Sequence, residues 1–279
     1  MPELPEAEHT RRIFERVAVG RRVARADVAE DPIVLDGRPA AWVAARLTGR
    51  TVREAHRRGK YLWLVLDEGP HPIVHLGMTG TLRSPGDEPL RLASSPRAVD
   101  RSWPPRFTKL LLALDDGGAL AFTNARRLGR ILFRDDPAGE PPIARLGFDP
   151  LTDMPSRARF AALLSRRPRA VLKALLLDQG FAAGVGNWIA DEVLHRAALD
   201  PRRRAGSLAD AEVARLHEAL RHVVVTAVRA GASKDALPAD WLFHRRWGKD
   251  PDARTADGER VEHLVIGGRT TAWVPSRQR

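Results

Sequence analysis

The sequence predicts an α+β fold in which a helix opens the chain, a β-rich domain follows, and a helical domain precedes a terminal hairpin. Between about residues 20 and 135, short apolar runs alternate with segments that carry glycine and proline, which is typical of a sandwich or a barrel. Beyond this region the apolar residues recur at the spacing of amphipathic helices. Near the end of the chain, Gly267-Gly268 separates two short runs and predicts a hairpin.

The opening helix is predicted over residues 3–18. Pro2 and Pro5 are tolerated near a helix start, and the charges of Glu3 and Glu6 are favoured at the positive end of the helix. The β-rich region contains four apolar runs that predict strands, at residues 61–66, 73–76, 109–114 and 131–133, and a hairpin turn at residues 115–118. Residues 84–105 are predicted to form a long surface loop.

The predicted domain boundaries follow these changes of pattern. Residues 1–134 form the first domain, and residues 135–145 form a linker that carries proline and glycine. The next domain covers residues 146–240, and its helices are predicted at residues 157–164, 170–177, 188–197 and 208–228. Residues 241–279 form the last unit, in which residues 261–266 and 269–274 flank the glycine turn.

Composition and charge narrow the classes of function. The chain has 46 Lys and Arg against 35 Asp and Glu, a formal net charge of +11, so nucleic acid is the expected partner. Cysteine is absent, which excludes disulfides and thiolate metal sites. The nine histidines show no paired ligand spacing, so neither a metal nor another cofactor is expected. No apolar run predicts a signal or a membrane segment, so we expect a cytoplasmic protein.

Five short motifs occur in the same order as in one known family. They lie at residues 2–8 (PELPEAE), 59–62, 75–80, 178–192 and 267–275. One such motif is weak evidence, but five in order across nearly the whole chain resemble the formamidopyrimidine-DNA glycosylase and endonuclease VIII family. The resemblance implies a two-sheet β-sandwich behind the N-terminal helix, then a helix–two-turn–helix domain and a DNA-binding finger hairpin.

The finger departs from the common bacterial pattern of four zinc-binding cysteines. The aligned positions carry Arg254, Asp257, Val274 and Arg277, which cannot form a tetrahedral thiolate site. The resemblance therefore points to a zincless finger like those of plant and fungal members. Such a finger is held by packing, for which Trp247, Leu264 and Trp273 are the candidates.

The resemblance assigns catalysis to the start of the chain. Removal of Met1 would expose the α-amine of Pro2, a class of amine with an ordinary pKa of about 7.7–8.0, to attack the sugar C1′ and form a Schiff base. Glu3 would protonate the deoxyribose ring oxygen, and Glu6 would tune or relay protons. Lys60 would contact a phosphate beside the lesion and assist catalysis. By position alone, Pro2 could simply start the helix, Glu3 and Glu6 could be helix-start charges, and Lys60 could be a solvated lysine at the end of a strand.

The implied partner is damaged double-stranded DNA, bound by a monomer. The gap left by the flipped base would be filled by Met78, Arg126 and Leu128. Phosphates would be bound by Lys60, Arg127, Asn187 and Arg269. Without the resemblance, the two arginines at 126 and 127 could belong to a solvated turn and Asn187 could be a simple N-cap.

The function implied is that of a bifunctional glycosylase and AP lyase of base excision repair. Residues 230–238 resemble a shortened capping loop, so weak excision of 8-oxoguanine and preference for other oxidised or ring-opened bases are expected. The main alternative is a catalytically silent module that binds damaged DNA, against which Pro2, Glu3 and Lys60 argue. An RNA-associated protein fits the charge alone, but no stacking module for RNA is evident.

Overall fold

The computed structural model describes residues 2–87 and 100–279, and the chain divides into two compact units, Met1–Arg145 and Leu146–Arg279. Of the surface loop predicted at residues 84–105, residues 88–99 lie outside the described residues. The finer division at residues 134 and 240 that the sequence predicts stays a prediction. None of the described helices combines the length and the apolar character that a membrane crossing requires.

The first unit contains two α-helices, eight strands and a short 3₁₀ helix (Ile143–Arg145) in its described residues. The α-helices are α1 (Leu4–Ala18) and α2 (Ala40–Leu47). The strands are β1 (Val23–Val28), β2 (Val52–Arg58), β3 (Tyr61–Leu66), β4 (His71–His75), β5 (Thr81–Arg83), β6 (Thr108–Leu114), β7 (Ala119–Thr123) and β8 (Arg130–Arg134).

These strands form two antiparallel four-stranded sheets, in the orders β1-β6-β7-β5 and β2-β3-β4-β8. Side chains alternate along β3, so that Leu62, Leu64 and Leu66 are buried. They share one apolar core with residues of the other sheet, such as Leu112 and Phe122. The β-sandwich that the sequence predicts is therefore confirmed.

Helix α2 was not predicted from the sequence, which indicated a β-rich domain over about residues 20–135. Its sequence AAWVAARL follows Pro39 and is rich in alanine, the best helix former. Val43 and Leu47 lie one turn apart and are fully buried. The eight residues are too few for their periodicity to be distinguished from a short apolar strand.

The second unit contains the four helices that the sequence predicts, with ends shifted by one or two residues. They are α3 (Arg157–Ser165), α4 (Leu172–Leu177), α5 (Asn187–Arg196) and α6 (Asp210–Arg229). Two strands, β9 (Glu262–Ile266) and β10 (Arg269–Trp273), form the terminal hairpin. Gly267 and Gly268 have φ values of 57° and 70°, the left-handed conformation that a type I′ turn requires.

An apolar cluster holds the finger together, as expected for a finger without zinc-binding cysteines. Its members are Leu242, Ala253, Val261, Ala272 and Val274. Of the packing candidates that the sequence predicts, Trp273 is buried, whereas Trp247 and Leu264 are only half-buried. Within residues 2–87 and 100–279, no group of three or more His, Cys, Asp and Glu could hold a metal ion.

Candidate functional site

Two carboxylates are buried together at the start of α1. Glu3 and Glu6 are 2% and 8% exposed, and Pro2 before them is also buried. The backbone N–H of Glu3 donates a hydrogen bond to Glu6 Oε2 at 2.9 Å. The proline at position 5 needs no hydrogen-bond partner for its nitrogen in this first turn. The structure thus brings together three of the residues that the sequence singles out for catalysis.

The environment of Glu6 shifts its proton equilibrium to neutral pH. Burial raises the pKa of Glu6 from 4.5 to about 7, and the neighbouring charge of Glu3 raises it further, against the smaller opposing effect of backbone hydrogen bonds. A carboxyl group with a pKa near the working pH can both hold and release a proton, which is the requirement for acid–base catalysis.

Replacing Glu6 by glutamine should stabilise the chain at alkaline pH and not at acidic pH. The raised pKa means that the unfolded chain releases the Glu6 proton first, so the free energy of unfolding falls as the pH rises from about 4.5 to about 7. Glutamine cannot ionise, and it keeps an oxygen for the Glu3 N–H. We expect the Tm of Glu6→Gln to exceed that of the wild type at pH 8 but not at pH 4. The same Tm difference at both pH values would contradict the buried, titrating carboxyl.

Lys60 lies in the tight turn between β2 and β3, and a buried arginine ties this turn to α1. Arg57 Nη1 donates to Gly59 O at 2.9 Å, and Arg57 Nε donates to Glu8 Oε2 at 3.2 Å. The Arg57 side chain is 1% exposed. Sequence reasoning missed Arg57, although its place in the basic run before Gly59 was a signal. Arg57 and Glu8 thus join the helix that carries Glu3 to the turn that carries Lys60.

His75 is a second residue that sequence reasoning did not single out, although it begins one of the five motifs. It lies at the end of β4, packs against Tyr61 at 4.7 Å between ring centroids, and its Nδ1 accepts the Gly77 N–H at 3.3 Å. Burial lowers the pKa of His75 to about 4, with further lowering by Lys60 and Arg130. At neutral pH the ring is therefore uncharged, and Nε2 carries the proton as a hydrogen-bond donor.

The loop of Met78 and the turn of Leu128 lie side by side. A Cβ on Gly77 would come within 2.4 Å of the Leu128 carbonyl carbon, so only glycine fits there. The buried Asn124 connects the two segments, because its Nδ2 donates to Leu76 O at 3.0 Å. Met78 is half-buried and Leu128 is 43% exposed. The residues predicted to enter the DNA are therefore neighbours on one edge of this unit.

The two arginines of this turn have different surroundings. Arg127 forms two hydrogen bonds of 3.0 Å with Asp31, which also pairs with Lys109 at 2.8 Å. Burial alone would raise the pKa of Asp31, but these hydrogen bonds outweigh it and hold the pKa far below its usual range. Arg126 is exposed and forms no ion pair with any described residue. Phosphate binding by Arg127 stays a prediction, and its structural role is to fix the turn.

In the second unit, the structure corrects the position of Asn187 and connects it with the hairpin. Gly186 is the N-cap of α5, and Asn187 is the first residue of the helix rather than its cap. The Asn187 side chain instead donates from Nδ2 to Thr270 O in β10 at 2.8 Å. Arg269 is exposed at the tip of the same hairpin. Asn187 therefore contacts the residue that directly follows Arg269, so the two predicted phosphate contacts of this unit lie close together.

Comparison with protein families assigns both units. The model of the formamidopyrimidine-DNA glycosylase N-terminal domain matches residues 1–131, and the model of the H2TH domain of the same enzymes matches residues 146–237. The chain belongs to the formamidopyrimidine-DNA glycosylase family. The fold class and the enzyme class, a DNA glycosylase of base excision repair, are those that the sequence predicts.

The similarity to known relatives in sequence and structure extends over the full length of the chain. A formamidopyrimidine-DNA glycosylase of Arabidopsis thaliana is 37% identical over 279 residues, which are 100% of this chain and 71% of the relative. The crystal structure of the enzyme from Thermus thermophilus has a TM-score of 0.76 and 35% identity, and covers 99% of this chain and 98% of that one. A Lactococcus lactis variant in complex with DNA containing Fapy-dG has a TM-score of 0.79 and 25% identity, with 100% of both chains covered.

Proposed function

We propose that the chain is a bifunctional glycosylase and AP lyase that excises oxidised or ring-opened bases from damaged double-stranded DNA. The observation that carries this proposal is the buried start of α1, where Pro2 precedes Glu3 and a Glu6 carboxyl whose pKa is about 7. A nucleophilic amine close to a carboxyl group that can exchange protons at neutral pH is what base release with strand cleavage requires.

The proposed reaction begins once Met1 is removed and the secondary amine of Pro2 is exposed. The amine attacks C1′, a new N–C1′ bond forms, and the bond from C1′ to the damaged base breaks. The departing base takes the electron pair of that bond and the proton that the Pro2 nitrogen loses. Glu3 gives a proton to the ring oxygen as the sugar ring opens, and the nitrogen lone pair forms the iminium ion.

Strand cleavage follows from the acidity that the iminium ion confers on C2′. Loss of a C2′ proton expels the 3′ phosphate by β-elimination, and a second elimination expels the 5′ phosphate. Water then hydrolyses the iminium ion and restores the amine. Glu6 accepts the Glu3 N–H and can return protons to this site, because its pKa lies near neutrality.

Each unit contributes its own contacts to the DNA in this proposal. In the first unit, Lys60 and the uncharged His75 bind phosphate, since both present donors near the turn between β2 and β3. Met78, Arg126 and Leu128 occupy the space that the flipped base leaves. In the second unit, Asn187 at the start of α5 and Arg269 at the hairpin tip bind the DNA backbone.

Borohydride trapping on a duplex with one abasic site tests the amine. We expect the wild-type chain, with Met1 removal verified by mass spectrometry, to form a covalent adduct. The N-terminally acetylated chain should form none, because an amide nitrogen is not nucleophilic. Pro2→Gly replaces the secondary amine with a primary amine and should form less adduct.

Two outcomes would contradict the proposal. An adduct of undiminished yield from the acetylated chain would place the nucleophile on a lysine. The absence of an adduct from the wild-type chain, with Met1 removed and the DNA bound, would favour a silent module that recognises damage.

A further inference from the structure

Four hydrogen bonds from three separate segments converge on the carboxylate of Asp191 in α5. Lys173 of α4 donates from Nζ to Oδ1. Arg246 donates to Oδ2 from Nε at 3.1 Å and from Nη2 at 2.7 Å, and the backbone N–H of Ala272 in β10 donates to the same oxygen at 3.2 Å. These four residues, Lys173, Asp191, Arg246 and Ala272, are called the Asp191 network below.

The Asp191 network is almost completely removed from water. The side chains of Lys173 and Asp191 are 0% exposed, and that of Arg246 is 5% exposed. Ions buried in this way are costly unless each is paired and hydrogen-bonded. Loss of the carboxylate would leave two buried cations without their common partner, so the arrangement is sensitive to a single substitution.

The Asp191 network contacts Asn187 and the strand that carries Arg269, the two residues that the proposed function assigns to the phosphates of this unit. Lys173 Nζ also donates to the backbone oxygen of Asn187 at 2.7 Å. On the other side, Ala272 lies in the strand that begins with Arg269. One carboxylate is thus connected to the start of α5 and to the strand of the hairpin.

Helix α5 holds β10 at two alternate residues. Asn187 donates to Thr270 O at 2.8 Å, and Asp191, one helical turn later, accepts the Ala272 N–H at 3.2 Å. Residues 270 and 272 direct their backbone groups to the same edge of the strand, and β9 pairs with the other edge. A two-stranded hairpin is marginally stable alone, so these contacts with α5 support the hairpin in addition to the apolar cluster.

We propose that Asp191 is a positioning residue for DNA binding, which fixes the hairpin so that Arg269 and Asn187 are presented together. The inference rests on the proposed function, in which these two residues bind phosphates. In this chain without cysteine, the buried carboxylate and its two cations orient the finger at the place where it meets α5.

The first test measures, in the absence of DNA, how firmly the hairpin is held against local opening. Amide hydrogen exchange is followed by mass spectrometry in the full chain, for peptides covering residues 262–273. Asp191→Asn should increase the exchange rate of this segment about tenfold or more relative to the wild type, since the hairpin opens locally when its anchor is weakened. Asp240→Asn removes the same charge from an exposed position near the finger and should leave this exchange unchanged.

The second test measures binding to a duplex that contains a tetrahydrofuran abasic-site analogue, over a series of salt concentrations. Arg269→Ala should weaken binding and reduce the slope of log Kd against log salt by about 0.9, as expected for one lost phosphate contact. Asp191→Asn should also reduce the slope of log Kd against log salt. If Asp191 acts by placing Arg269 together with Asn187, the double variant should lose less binding free energy than the sum of the two single losses.

The outcomes separate the positioning role from the proposed function. Additive losses in the double variant, or unchanged exchange of the hairpin in Asp191→Asn, would overturn the positioning role. An unchanged salt slope in Arg269→Ala would instead overturn the phosphate contact on which the inference rests, while the exchange data would still show whether Asp191 fixes the hairpin.

A milder variant keeps the test decisive if Asp191→Asn does not fold. Arg246→Met removes one cation and leaves the Lys173–Asp191 pair neutral and intact. We expect faster exchange in residues 262–273 and a partial loss of the salt slope. Exchange and slope equal to those of the wild type would overturn the proposal. Arg246→Lys retains a cationic donor for Asp191, so its exchange rate and salt slope should lie between those of Arg246→Met and the wild type.

Discussion

Replacement of Glu3 by glutamine is expected to slow base release and strand cleavage by about 10²- to 10⁴-fold, the range typical for loss of a positioned acid. Glutamine has the same shape and can occupy the same buried position at the start of α1. It cannot give a proton to the ring oxygen, so opening of the sugar ring loses its acid. We do not expect the neighbouring Glu6 to compensate, because the proposed function assigns to Glu6 the return of protons to the site and not the protonation of the ring oxygen.

Single-turnover kinetics on a lesion duplex and on an abasic duplex measure this effect directly. Glu15→Gln is the matched control, because Glu15 lies on the same helix, is 57% exposed and pairs only with Arg11 among the described residues. Its rates should equal those of the wild type. Rates for Glu3→Gln within about threefold of the wild type, far below the loss expected for a positioned acid, would show that ring opening uses another acid, and the assignment of Glu3 would be wrong.

Local sequence patterns were sufficient to predict much of the fold. The opening helix, the runs that became β3 and β6, and the glycine turn between β9 and β10 each carry their signal within a few residues. Strand β1, with the sequence VARADV, carries charges on its exposed face and was not predicted. Its assignment depends on pairing with β6, a contact between residues far apart in the sequence.

The candidate site likewise contains features that the local sequence predicts and features that it does not. Pro2, Glu3 and Glu6 are adjacent in sequence, so their proximity could be predicted, but the pKa of Glu6 could not, because it follows from burial by other segments. Arg57 contacts Glu8 across 49 residues, and Asp191 contacts Ala272 across 81. Partners at such separations become visible only once the chain is folded.

Replacement of Arg57 by methionine should lower the free energy of unfolding of the first unit by about 3 kcal/mol, the lower end of the range for breaking a buried ion pair. The lower end applies because Glu8 keeps hydrogen bonds from Arg11 and Arg12. Urea unfolding measures this loss. Arg53→Met, an exposed position on the same strand, should change stability little. Equal losses in the two variants would contradict the role of the buried pair.

Arg57→Met should also slow borohydride trapping under conditions in which the variant is fully folded. The hydrogen bond from Arg57 to Gly59 O holds the residue before Lys60, and a displacement of about 1 Å in a residue that positions the substrate can cost about 10²-fold in rate. Arg53→Met should trap DNA at the wild-type rate.

The double variant Glu8→Met/Arg57→Met distinguishes stability from positioning. Replacement of both members of a buried ion pair by apolar groups is often nearly neutral, so much of the stability should return. The trapping rate should stay low, because methionine cannot donate to Gly59 O in either variant. Recovery of both quantities would show that Arg57 acts through stability alone. Recovery of stability without rate would show that the arginine places the turn of Lys60 relative to the helix that carries Glu3.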